Sequence, residues 1–120
     1  MQFKEAKRMC KAEMELHGLK DWKFEWSNKL YNAGDCRPFF KRIRLCASYV
    51  FLNEKEAVLD TILHEIAHGL NWENNGLNGH GKEWRRIAKL IGATPSTSCE
   101  FKKYPQSKMH KEEFKKIKSI

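Results

Sequence analysis

The sequence lacks any CxxC pair among its four cysteines. They are Cys10, Cys36, Cys46 and Cys99. Zinc ribbons are built from CxxC pairs, so a metal site of that type is excluded. The wide spread of the four residues favours reduced thiols, and a disulfide framework is the less favoured alternative. We therefore expect a protein of the reducing cytoplasm.

Long apolar stretches are also missing. No run approaches the roughly 18 residues that a transmembrane helix needs, and the N-terminal residues do not resemble a signal peptide. We therefore expect a soluble chain that is not exported and has no membrane partner. With 120 residues, the chain can form one domain with a modest core but not two.

Acidic residues are outnumbered by basic ones, and the net charge is +8. The excess is uneven, because residues 21–53 carry +3 and residues 93–120 carry +4, whereas residues 54–92 carry −1. This distribution favours a polyanionic partner such as DNA, bound without sequence preference, and ordinary solubility charge is the alternative. The residues that we predict to contact nucleic acid are Arg37, Lys41, Arg42, Arg44, Lys102 and Lys103.

One pentapeptide, His64-Glu65-Ile66-Ala67-His68, matches the pattern HExxH. Residues four apart on a helix project from the same face, so His64 and His68 can bind one metal ion. Glu65 lies about 100° further round the helix, where it can polarise a water molecule at that metal. A capping box at Asn53 and Glu56 and a helix-period apolar stripe predict that this segment is a helix with one buried face. The alternative is two histidines without a metal.

A catalytic zinc ion needs a third protein ligand and an open position. We predict His80 as that ligand, because a turn before a helix can place its side chain freely, and Glu83 is the alternative. The metzincin pattern requires glycine and histidine at positions where this chain has Asn71 and Asn74, so that class is excluded.

The hydrophobic pattern predicts an α+β fold. Residues 3–17 are predicted to form a helix, and the alternation in Trp22–Trp26 and Arg42–Leu45 predicts two strands. A third strand is predicted to begin near Cys36, which gives a small three-stranded antiparallel sheet. Residues 48–53 are expected to connect the sheet to the HExxH helix.

A second metal-site helix is predicted after Gly81, and Gly92 and Pro95 predict its end. We therefore expect a metal-binding domain in residues 1–95 and a basic tail in residues 96–120. Without a partner, the tail is expected to be frayed and solvated.

The aromatic residues are assigned to two places. We expect the four tryptophans, at positions 22, 26, 72 and 84, to lie in the core and in the wall of a cleft. Phe39 and Phe40, which lie among the arginines and lysines of residues 37–44, are expected in the core. Stacking of nucleic-acid bases on them is the alternative.

Taken together, two motifs resemble a known family. His64-Glu65-x-x-His68-Gly69-x-x-Trp72 is followed by His80-Gly81-x-x-Trp84, as in the SprT-like metalloprotease domain of the Spartan DNA–protein crosslink proteases. The resemblance spans residues 3–95. It implies a zincin-like fold, with one zinc ion per chain bound by His64, His68 and His80 and with Glu65 as the catalytic acid and base.

Two departures refine this resemblance. Gly69 stands where the family usually has alanine, a small change from which we expect little consequence. Many members carry a zinc ribbon after this domain, whereas this chain has only Cys99 there. The chain is therefore most similar to the short, stand-alone SprT-like proteins of bacteria and their phages, and a phage-encoded member would act in the host cytoplasm.

These observations predict a zinc metallopeptidase that hydrolyses peptide bonds in proteins, in particular DNA-associated or DNA-crosslinked proteins, as a monomer. The alternative is a non-proteolytic nucleic-acid-binding module that zinc merely stabilises. An intact Glu65 favours the enzyme, because a structural zinc site has no use for a base beside the metal.

Overall fold

The structure, a computed structural model, describes residues 1–29, 32–95 and 103–120. In this part of the chain it confirms the α+β class, the N-terminal helix and the small three-stranded sheet. The helices are α1 (Phe3–Leu16), α2 (Ala47–Leu52), α3 (Lys55–Asn75), α4 (Lys82–Ile91) and α5 (Lys111–Lys118), and the strands are β1 (Lys23–Ser27), β2 (Gly34–Arg37) and β3 (Arg42–Cys46).

The sheet has the strand order β1-β3-β2 and is mixed. β2 runs antiparallel to β3, but β1 runs parallel to it, with Phe24 opposite Ile43. The prediction of an antiparallel sheet is therefore wrong for β1. Side chains alternate between the two faces of a strand whichever way its neighbour runs, so the pattern that located the strands could not give their direction.

β2 approaches its neighbours closely at Gly34. A Cβ atom at this position would lie 2.8 Å from the backbone oxygen of Arg44 and 3.1 Å from Cγ2 of Thr61 on α3. The first of these distances is shorter than van der Waals contact allows, and the atom concerned belongs to the backbone. Glycine therefore lets this edge strand, which carries Cys36, lie directly against the HExxH helix.

Helix α3 forms as predicted, but the predicted capping box does not. Its N-cap residue is Glu54, and no side chain caps the helix. The amide of Asn53 instead donates to the backbone oxygens of Tyr49, at 2.8 Å, and Lys103, at 2.7 Å. Its oxygen accepts from the backbone N–H of Lys103 at 2.9 Å. Asn53 therefore ties the start of α3 to a distant segment, a role that local sequence could not indicate.

One further helix differs from the prediction and another agrees with it. Residues 48–53 were expected to be a connector, but α2 occupies Ala47–Leu52. α4 was predicted correctly, and Gly92 ends it with a left-handed φ of 92°. No helix within the described ranges is both long and apolar enough to cross a bilayer.

The C-terminal segment is not frayed. α5 has Ile117 only 6% exposed, and Phe114 and Met109 pack against the same core. The side chain of Asn28 donates to the backbone oxygen of Met109 at 2.8 Å and accepts from its N–H at 2.9 Å. The expectation of a solvated end is wrong because the apolar residues of this short helix find a core to bury against. The predicted boundary after residue 95 adjoins residues 96–102, outside the described residues, and stays a prediction.

The aromatic residues are divided differently from the prediction. Trp22, Trp26 and Trp84 are buried, as expected, and Trp72 is half-buried. Phe39 and Phe40 were expected in the core, but their exposed fractions are 79% and 69%. They are exposed because Pro38–Phe40 form a 3-10 turn at the surface between β2 and β3.

The sheet contains a partly buried ion pair. Arg44 of β3 is 8% exposed, and its Nε and Nη2 donate to the two carboxylate oxygens of Asp35 on β2, at 2.7 and 2.6 Å. Partial burial disfavours the charged form of Asp35, but the hydrogen bonds and charge of Arg44 outweigh it and hold the pKa of this carboxyl below its usual value. Arg44 is therefore part of the sheet's structure, not an open phosphate contact.

Replacing Arg44 tests this ion pair. Arg44→Met should lower the free energy of unfolding by about 1.5–3 kcal/mol at pH 7, because it leaves the Asp35 carboxylate partly buried without its partner. The control Arg42→Met removes an ion pair with Glu25 in which both side chains are 39% exposed, and it should cost less than about 1 kcal/mol.

The effect should depend on pH. The pKa of Asp35 is lower in the folded state than in the unfolded state, so its stabilisation is complete above about pH 4 and disappears as the pH falls through the folded pKa. Urea unfolding at pH 7 and pH 3 should therefore show a smaller difference between wild type and Arg44→Met in acid. A difference that stays constant would contradict this account.

Candidate active site

Helix α3 and the loop after it bring three histidines together. His64 and His68 lie one turn apart on α3, and left-handed glycines at positions 76 and 79 help the loop to fold back. Nε2 of His80 lies 3.0 Å from Nε2 of His64 and 3.0 Å from Nε2 of His68. The ligand nitrogens of all three lie within 4.8 Å of one another. The structure therefore assembles the cluster that the sequence predicted.

This cluster fits a metal ion. Nitrogen ligands at about 2.0–2.1 Å from a tetrahedral zinc ion lie about 3.3 Å apart, close to the two distances of 3.0 Å between Nε2 atoms. Burial, with the charges of His64 and His80, lowers the pKa of His68 to about 3. Burial and the charge of Arg85 also lower the pKa of His80. Both imidazoles are therefore neutral near pH 7, the form that binds metals.

Trp84 of α4 supports all three imidazoles. Its ring centroid lies 4.6 Å from that of His64, 5.3 Å from that of His68 and 4.7 Å from that of His80. Its indole N–H donates to the backbone oxygen of His64 at 3.4 Å. Because Trp84 is fully buried, it fixes the imidazoles against a rigid surface.

Glu65 is 7% exposed, beside the histidine face of α3. Burial, followed by the charge of Glu65, raises the pKa of the Cys36 thiol to about 12, and the same two causes raise the pKa of Cys10. The carboxylate is therefore within electrostatic reach of both thiols, and both stay protonated at pH 7. No sequence signal indicated that Cys36 lies near Glu65.

Glu83, the alternative third ligand, is engaged elsewhere. Its Oε2 accepts from Nε and Nη2 of Arg86, each at 3.2 Å. Within the described residues, the group that could hold a metal contains His80 and not Glu83. The geometry therefore favours the three-histidine set.

An exposed aromatic surface lies one helical turn beyond His68. Trp72 follows His68 by four residues on α3, and the ring of Phe39 packs on it with a centroid distance of 4.8 Å and an interplanar angle of 61°. This contact was not foreseen, because Phe39 was expected in the core. A hydrophobic wall therefore extends from the histidine cluster along α3.

The structure does not gather the predicted nucleic-acid residues on one surface. Arg37, Lys41 and Arg42 lie at one end of the sheet, and two of them form ion pairs, Lys41 with Asp21 at 3.4 Å and Arg42 with Glu25 at 3.6 Å. Lys103 lies beside Asn53, and Lys102 falls outside the described residues. Their role in binding nucleic acid stays a prediction.

The comparison with protein families agrees with the site. The model of the SprT-like family matches residues 2–110, a range that contains the whole sheet, α3 and all three histidines. The chain belongs to the SprT-like family. No curated protein and no solved structure matches it significantly. The SprT-like family is associated with metalloprotease activity, and the histidine cluster suits a metal-dependent domain of this kind.

The match confirms the resemblance and also clarifies one position. Alanine, usual in the family after the second histidine, would be crowded here, because a Cβ on Gly69 would lie 2.8 Å from Cδ1 of Leu19. Leu19 and Trp22 pack directly on α3 at this point, just beyond His68. The nearest atom is the end of a flexible leucine side chain, which can shift, so the expectation that glycine has little consequence at position 69 stays a prediction.

Metal content tests the ligand set. Purified protein should contain one metal ion per chain, and His80→Ala should lose it, because two ligands do not hold a metal ion tightly. Glu83→Gln is the control and should keep full occupancy. Metal analysis gives the content, and circular dichroism should show unchanged helix content in both variants. Full occupancy in His80→Ala would assign the third ligand to another residue.

Proposed function

We propose that this protein is a zinc-dependent metallopeptidase that hydrolyses peptide bonds in proteins. The observation that carries the proposal is the convergence of three imidazoles beside the buried carboxylate of Glu65. Three nitrogen ligands suit zinc, and a set of three protein ligands is typical of catalytic zinc sites, whereas structural sites usually have four.

The proposed roles follow from the residue types. A zinc ion held by His64, His68 and His80 would supply Lewis-acid polarisation and acidify a water molecule at neutral pH. Glu65 accepts the proton of the attacking water as a general base and then donates it to the leaving amine as a general acid. Trp84 holds the imidazoles in place, so the ligands need little rearrangement before the reaction.

Glu65→Gln separates this proposal from its alternative. Glutamine keeps the size of the side chain but cannot accept the proton, and loss of a general base typically lowers the rate by about 10²- to 10⁴-fold. The three histidines are unchanged, so zinc content should remain at one ion per chain. Cleavage of an unfolded protein such as casein, followed by gel electrophoresis, measures the rate.

The matched control is Glu56→Gln, which changes an exposed glutamate in the first turn of the same helix. It should cleave at the wild-type rate. Equal cleavage by Glu65→Gln and wild type would show that any proteolysis comes from another site or a contaminant. Absence of cleavage by every zinc-loaded form would favour the non-proteolytic, zinc-stabilised nucleic-acid-binding module.

We also propose that the substrates include DNA-associated proteins. The support is the net charge of +8 and a row of cations on α1, which the sequence analysis did not single out. Helical spacing places Lys4, Lys7, Arg8 and Lys11 on one face, where they line a shallow groove of about 360 Å³. The ion pairs found among the described residues involve none of the four, in contrast to Lys41, Arg42 and Arg44.

Salt-dependent binding tests this part. Binding to a DNA duplex should show little sequence preference and weaken steeply with salt, because each neutralised phosphate releases counterions. Lys7→Gln with Lys11→Gln should reduce the slope of log K against log salt concentration by about 1.8, or 0.9 per contact. The control is Lys20→Gln with Lys55→Gln, which removes the same charge at scattered exposed positions. Absence of binding at low salt would mean that the charge serves solubility alone.

A reducing, cytoplasmic site of action and a monomeric state complete the proposal. The described cysteines, Cys10, Cys36 and Cys46, are all free, which agrees with a reducing compartment. Burial raises the pKa of Cys10 and Cys36, so neither is a reactive thiolate at neutral pH.

A further inference from the structure

The exposed face of α4 is strongly cationic. Lys82, Arg85, Arg86 and Lys89 recur at spacings of three and four residues, and all four are exposed. The opposite face, with Trp84, Ile87 and Ala88, is buried against α3. We call these four side chains the α4 cationic row. The acidic residue beside the row is Glu83, and its carboxylate already pairs with Arg86.

The row borders the histidine cluster. A groove of about 640 Å³ is lined by the four cations together with His80, Gly81 and Glu83. His80 is thus part of the same wall as the cations. A ligand in this groove therefore contacts His80, one of the three proposed metal ligands.

We propose that the α4 cationic row binds acidic side chains of the polypeptide that is cleaved at the histidine cluster. This inference rests on the proposed peptidase function. We favour polypeptide over nucleic acid as the molecule bound in this groove. The groove includes His80, and the molecule that extends away from the cleaved bond is the substrate polypeptide. Arginine pairs well with carboxylates, since its planar fork can donate two hydrogen bonds to them.

The dimensions indicate how much of the substrate is contacted. The row extends over seven residue steps of a helix, which is about 10 Å. An extended polypeptide advances about 3.3 Å per residue, so about three consecutive substrate residues can lie along it. We therefore expect preference for a short acidic segment on one side of the cleaved bond.

Matched peptides test the preference. Three peptides share one cleavable centre and carry, on either side of it, three glutamates, three glutamines or three lysines. Zinc-loaded wild-type protein should have a KM several-fold lower for the glutamate peptide than for the glutamine peptide and highest for the lysine peptide. Because these contacts are exposed charge pairs, the difference should shrink as salt increases.

Variants locate the effect on α4. Lys82→Gln with Lys89→Gln removes both ends of the row, and it should raise KM for the glutamate peptide about fivefold, because two exposed ion pairs are lost. KM for the glutamine peptide and kcat for both peptides should change little. Arg85→Gln is a second variant, with zinc content measured because Arg85 neighbours His80. The control Lys20→Gln with Lys55→Gln should leave the preference intact.

A binding measurement separates this inference from the peptidase proposal. Fluorescence anisotropy measures binding of the labelled glutamate peptide to zinc-loaded Glu65→Gln protein without turnover. Adding the Lys82→Gln and Lys89→Gln substitutions to this variant should weaken the binding of the peptide. If wild type cleaves peptides but shows no acidic preference, the inference fails while the peptidase function stands. If nothing is cleaved but acidic peptide binds through the row, the peptidase proposal fails instead. If the substitutions weaken binding of DNA and not of peptide, the groove is a nucleic-acid surface and the inference is overturned.

Discussion

The docking of α4 on α3 through Trp84 is the interaction on which the site depends. Two of the three histidines lie on α3 and need only a helix to face the same way. His80 belongs to the loop before α4, and it reaches them because Trp84, Ile87 and Ala88 pack on Leu63 and Ala67. The same indole contacts all three imidazole rings. The histidine cluster therefore assembles only when α4 packs on α3.

The parts of the fold that follow from local physics could be predicted, and the parts that depend on distant partners could not. The HExxH helix, the second helix and two of the three strands each have a periodicity of their own. The parallel pairing of β1 with β3 leaves no trace in the alternation of side chains. The prediction of a capping box failed for a similar reason, because two of the three side-chain hydrogen bonds of Asn53 join it to Lys103, fifty residues away.

Charge shows the same division between sequence and structure. Counted along the chain, residues 54–92 are nearly neutral, so this segment gave no reason to expect an anion-binding surface. Four of the five basic residues of this segment lie on α4, and the exposed face of this helix is cationic beside His80. Arg44 is the opposite case. The sequence predicted that this arginine contacts DNA, but in the structure it forms a partly buried ion pair with Asp35. A count of charges along the sequence therefore indicates a charged binding partner only once the residues that form ion pairs within the protein are known.

The two faces of α3 serve different parts of the proposed chemistry. One face presents His64 and His68 to α4, while Glu65 lies in a buried region whose electrostatic neighbours include Cys36 of β2. That region exists because Gly34 allows β2 to lie against α3. Cys10 and Cys36 stay protonated at neutral pH, so neither places a thiolate near Glu65, which suits its proposed role as a general base. The edge strand thus contributes to the site without supplying a ligand. The close approach at Gly34 forms the surroundings of Glu65, whereas the docking of α4 through Trp84 brings the histidines together.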